Sequence, residues 1–144
     1  MKLSISMLAS GLLLVGVTEG ANAACGDSQI MNAALTSLLS GNTVCVSNGS
    51  GGWENQEEHV SGGALVDYKK GPGDNVDPTK QVGTWSVSGT DASTVVNYNY
   101  THGGNSGPFS FTVHSADNVH LSFCDASNNE IVAATLKVGA GACP

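Results

Sequence analysis

From Val82 to Lys137 apolar and polar side chains alternate through five runs, and the runs are parted by short stretches of Gly, Ser, Asn and Asp. In an antiparallel hairpin the turn centre decides which residues face each other, and a slip of one residue turns every side chain to the other face. Turns centred near 91–92, 104–105, 117 and 127–128 set Trp85, Tyr98, Phe111, Phe123 and Val132 in one row. The next row is Val87, Val96, Val113, Leu121 and Ala134. Four turns agree on one apolar face, so this stretch reads as an antiparallel meander. The opposite face, with Ser86, Asn97, Ser110, Thr112, His114 and His120, reads as solvated.

The same period of two runs through Thr43–Val46, Trp53–Val60 and Ala64–Lys69, which brings the total to about eight strands. Glycine, at 19 residues, is in excess and charged residues reach only 12%, a composition of short strands and many turns. Such a meander has two exposed edges unless it closes on itself or folds over. The expected fold is therefore all-β, a meander closed into a small barrel, with a two-sheet sandwich as the alternative. One short N-terminal helix precedes it: Ile30, Met31, Ala34, Leu35, Leu38 and Leu39 recur at helical spacing between a cap at Asp27 or Ser28 and a stop at Gly41.

Lys2, the apolar run Met7–Val17 and the small residues Ala21-Asn22-Ala23 follow the pattern of a secretory signal peptide over residues 1–23. Residues 24–144 then form a single disulfide-bonded β domain, exported to a periplasm or to the extracellular space. The apolar run is too short for a permanent span, and no later stretch has the roughly 18 apolar residues a membrane helix needs. Cys25, Cys45, Cys124 and Cys143 are an even set without a C-x-x-C spacing, which points to two disulfides. Of the three connectivities, the local one, Cys25 with Cys45 and Cys124 with Cys143, closes two loops of about 20 residues and is slightly favoured.

Gly83-Thr84-Trp85 resembles the G-x-W of lipocalins and related calycins, in which the Trp closes the bottom of the barrel. The resemblance covers three residues and lies mid-chain rather than on the first strand. It carries over no binding residue.

The formal charge is -7 and the five cations are all lysines, so the clustered basic surface that holds phosphate backbones is missing and nucleic acid is not an expected partner. Trp53, Glu57 and His59 lie at alternate positions on one strand, where a carboxylate and an imidazole share a face. With Tyr68, Trp85 and the loop 71–81 they are the ligand-binding candidates. His114 and His120 fall opposite each other in the register above, a spacing at which two imidazoles share a metal ion, with Asp117 and His102 as further ligands. Asp74 and Asp77 lack the spacing of a calcium loop. No nucleophile motif is present, no catalytic residue is assigned and no cofactor is implied.

The leading expectation is a secreted, non-enzymatic binding module for a small ligand or a basic protein, an inhibitor of a basic hydrolase being its specific form. A small hydrolase or isomerase using Glu57 and His59 is the second expectation. The third is a surface or structural protein without a discrete ligand.

Overall fold

The computed structural model describes residues 24–68, 79–101 and 107–144. The signal-peptide reading of 1–23, most of the 71–81 loop and His102 lie outside them. The described chain runs through helix α1 (Asn32–Leu39) and strands β1 (Thr43–Ser47), β2 (Trp53–His59), β3 (Ala64–Asp67) and β4 (Lys80–Ser88). After one 3-10 turn at Asp91–Ser93 come β5 (Val95–Tyr100), β6 (Phe109–His114), β7 (His120–Cys124) and β8 (Glu130–Lys137). The eight strands form a closed antiparallel barrel in sequence order. Thr43, Val44 and Cys45 of β1 pair with Lys137, Leu136 and Thr135 of β8 to seal it. Closure removes the edges that an open meander leaves unpaired.

Side chains of alternate residues fill the interior, as an eight-stranded barrel requires. Leu65, Val96, Val113 and Leu121 are fully buried there, and Trp85, Tyr98 and Phe123 nearly so. The outward residues of β5 and β6, such as Asn97 and Ser110, are polar and bond one another across the strands. α1 lies against one end of the barrel. Its Leu35 and Leu39 are completely buried, each contributing roughly 1.5–3 kcal/mol of apolar burial. The Gly41 amide donates to the His59 carbonyl and the His59 amide to the Asn42 carbonyl, which ties the helix exit to the end of β2. The helix is shorter than the periodicity predicts. Residues 28–30 instead run extended beside β6, with the Ile30 amide donating to the Val113 carbonyl and the Ser115 amide to the Ser28 carbonyl. No helix among the described residues is long and apolar enough to cross a membrane.

Both bridges cross the chain from end to end: Cys25 with Cys124 and Cys45 with Cys143. The expected local pairing is therefore overturned. β1 and β8 are neighbours across the seam, which brings Cys45 to the C-terminal tail, and the segment beside β6 carries Cys25 to the end of β7. Two disulfides are compatible with an oxidising, exported environment.

Register agrees with expectation in two hairpins and departs in two. Trp85 faces Tyr98, and Phe123 faces Val132, as read from the sequence. Phe111, however, pairs with Val96 and Phe123 with Val113, each two residues from the predicted partner. A slip of two keeps every side chain on its face, so the aromatic row still points inward.

Candidate functional site

Glu57 and His59 point into the barrel. Glu57 faces Val44 across the β1–β2 pair, and both line an interior cavity of about 70 Å³. Val46, Val132 and Asn55 contribute to the same wall, while Tyr98, Tyr100, Phe111 and Phe123 contribute aromatic rings from β5, β6 and β7. Tyr98 is the hub of these rings. Its centroid lies 6.2 Å from Tyr100, 6.3 Å from Phe111 and 6.4 Å from Phe123.

The polar groups in this space are tightly committed. His59 Nδ1 lies 3.2 Å from the Glu57 carbonyl, which only accepts, so the ring proton sits on Nδ1. His59 Nε2 then offers a lone pair, and the Tyr98 hydroxyl donates to it at 2.7 Å. Burial pushes the His59 pKa down to about 4, against a smaller opposing effect of the Glu57 carbonyl. Burial and then the Glu57 carboxylate push the phenols of Tyr98 and Tyr100 well up, so both remain neutral. The Tyr100 hydroxyl donates to Glu57 Oε2 at 3.1 Å. Among the described residues, the cavity is thus lined by one carboxylate, the Asn55 amide, two neutral phenols and one neutral imidazole whose nitrogens are both engaged.

Trp53 does not join them. The pairing of β1 with β2 shifts at Val46/Ser47, so that Ser47 faces Trp53 while Val46 faces Asn55. This bulge at Glu54 turns Trp53 to the outer face. There it borders a groove of about 490 Å³ with Gln56, Tyr68 and Thr79, and its indole N–H donates to the Pro144 carbonyl at 2.8 Å. The Tyr68 hydroxyl donates to Glu58 Oε2 at 2.7 Å. The sequence-derived candidates accordingly divide into an inner pair, Glu57 and His59, and an outer pair, Trp53 and Tyr68.

Trp85 belongs to neither. It is buried at the helix-capped end, its indole N–H donating to the Val60 carbonyl at 3.0 Å and its ring 5.0 Å from His59. It forms a floor beneath the imidazole. Gly83, the first residue of the G-x-W segment, is required by close approach, because a Cβ there would lie 2.3 Å from the Asn99 carbonyl oxygen.

The expected pairing of His114 with His120 is not formed. His114 faces Ser122, and His120 faces Thr135. The turn between the strands is wider than the predicted centre allows, because Ser115 and Asp117 organise it: the Ser115 hydroxyl donates to the His120 carbonyl, and Asp117 Oδ1 accepts the amides of Val119 and His120. His114 lies on the outer face, as expected, but it is buried rather than solvated. Residues 27–29 cover it, and its Nδ1 donates to the Asp27 carbonyl at 2.9 Å. His120 donates to Asp117 Oδ2 at 2.7 Å, a contact that holds the Asp117 carboxyl below its ordinary range. Among the described residues no group of three or more His, Cys, Asp or Glu is placed to hold a metal ion.

Sequence reasoning named Tyr98, Phe111 and Phe123 as an inward row but missed Tyr100 as the partner of Glu57. The signal was present, since Tyr98 and Tyr100 share parity on β5. Compared with known proteins, the chain matches no family model, and neither a curated protein nor a solved structure matches it significantly.

Proposed function

We propose that the chain is a non-enzymatic binding module whose barrel interior receives a small ligand. The observation that carries this reading is the lined cavity itself. Apolar walls with a few convergent polar groups are the usual make-up of a small-molecule site, and here Glu57, Tyr100 and Asn55 are those groups. At about 70 Å³ the space holds roughly five water-sized volumes of about 15 Å³, so the buried part of the ligand is a small head group.

Glu57 and His59 do share a concave pocket, the geometry that an acid–base enzyme needs. The hydrogen bonds argue against that chemistry. A general base must present a free lone pair to its substrate, and the lone pair of His59 is occupied by the Tyr98 hydroxyl.

Titration of the labelled protein with a library of small amphiphilic fragments, followed by NMR, tests the reading. Binders are expected to shift the ring resonances of Tyr98, Tyr100, Phe111 and Phe123, and Val132→Phe, which fills the cavity, is expected to abolish the shifts. A library that leaves those resonances unmoved overturns the proposal.

A further inference from the structure

The hydrogen bonds of the lining say which ligand group it can read. Three of its polar side chains spend their protons within the wall: Tyr98 on His59, Tyr100 on Glu57, and His59 on the Glu57 carbonyl. Glu57, as a carboxylate, has none to give. Asn55 differs. It faces Val46 across the β1–β2 pair and is half-buried on the cavity wall, and among the described residues its side chain makes no hydrogen bond. A primary amide carries two donors and an acceptor oxygen, so both kinds of group stand open on this wall at one residue.

We infer that Asn55 is the residue that reads the ligand, and that the head group taken into the barrel is a neutral primary carboxamide. This rests on the reading of the barrel as a small-ligand site and specifies what that site selects. An incoming carboxamide accepts from Asn55 Nδ2 through its carbonyl and donates to Asn55 Oδ1 through its N–H, so two hydrogen bonds close one planar ring. A ketone of the same shape meets Nδ2 alone and takes water from Oδ1 without replacing it, which costs free energy on a wall this apolar. A carboxylic acid is ionised at neutral pH, and its carboxylate only accepts, so Oδ1 is again left unmet. A hydroxyl carries its donor and its acceptor on a single atom and does not reach both ends of the amide in good geometry. The volume fits about four or five heavy atoms, the size of a carboxamide on a short alkyl stem, whose apolar end suits Val46 and Val132.

Propanamide, butanone and propanoate have almost the same shape and differ in what they donate and accept, so NMR titration of the wild-type protein with each separates shape from hydrogen bonding. Propanamide is expected to bind at least about ten-fold more tightly than either of the others, as one added hydrogen bond and one acceptor no longer left unmet together imply. Asn55→Leu, which keeps the bulk of the side chain and removes its polarity, should bring propanamide to within about two-fold of butanone. Equal binding of propanamide and butanone to the wild-type protein, or tighter binding of propanoate, overturns the carboxamide inference and leaves the small-ligand reading standing. Binding of none of the three, alongside fragments that do occupy the cavity, has the same meaning. Binding of no probe and of no fragment overturns both. A folded Asn55→Leu that still prefers propanamide overturns the assignment to Asn55. The wild-type comparison decides the ligand class even if that variant does not fold.

Discussion

Burial keeps the His59 imidazole neutral down to about pH 4, whereas in the unfolded chain it takes up a proton near 6.5. Between those two values the unfolded state binds more protons than the folded one, so stability is complete above pH 6.5 and declines as pH falls toward 4. The loss from this one residue is on the order of 3 kcal/mol. Asp117 and Asp125 act in a different window. Hydrogen bonds hold their carboxyls below the ordinary range, so what they add is present above that range and is lost only in stronger acid. His59→Phe leaves the Tyr98 hydroxyl without its acceptor and should cost roughly 1–3 kcal/mol at neutral pH. It should also flatten the decline between about pH 6.5 and 4. Urea midpoints at about pH 7.5 and about pH 4.5 measure both effects, and an undiminished slope in the variant would assign the titration to another group.

At the scale of elements, Gly83 shows how closely β4 and β5 approach. Gly83→Ala would drive a Cβ into the Asn99 backbone and should destabilise the barrel by about 1–3 kcal/mol, read from the thermal midpoint. An unchanged midpoint would mean that the two strands sit further apart than described. The strands were legible in the sequence almost to the residue, because alternation and turn chemistry are local properties. Other features depend on contacts that alternation does not encode. The apolar pattern is blind to a slip of two residues, which preserves parity, so the partners of Phe111 and Val113 were misassigned while their inward direction was right. The bulge that turns Trp53 outward is a single extra residue in an otherwise regular run. Met31 and its predecessors carry helical spacing, yet the unpaired backbone of β6 beyond Val113 draws them into extended pairing. The site was half legible for the same reason: Glu57 and His59 share parity on β2, whereas their meeting with Tyr98 and Tyr100 is a product of closure.

Over the whole molecule, seven of the eight strand pairings join consecutive strands, and the barrel closes only when the β1–β8 seam brings distant segments of the chain together. Folding should be slow for its size, in the millisecond-to-second range typical of non-local β topologies, and stopped-flow fluorescence measures it. Microsecond folding would contradict the closed topology. Removing the Cys25–Cys124 bridge by a double Ser replacement should cost about 2–5 kcal/mol and loosen the segment that covers His114, which faster hydrogen exchange of the Ile30 and Ser115 amides then reports. Exchange of those two amides identical to wild type would show that the segment stays in place without its tether. The acidic body also leaves the inhibitor form of the binding reading open to trial with a basic lysozyme at low and high salt, where silence at both removes it.

The two bridges interleave along the sequence, with Cys25 and Cys45 both upstream of their partners Cys124 and Cys143. A protease that cuts once at any loop between residues 46 and 123 therefore produces two polypeptides stapled together twice. On a gel without reductant the clipped protein should still migrate as one band, and only thiol treatment should release the halves. Had each bridge linked neighbouring cysteines, the same cut would have set the pieces loose. In a compartment rich in proteases, this plaited linkage lets the barrel outlast damage to its own turns.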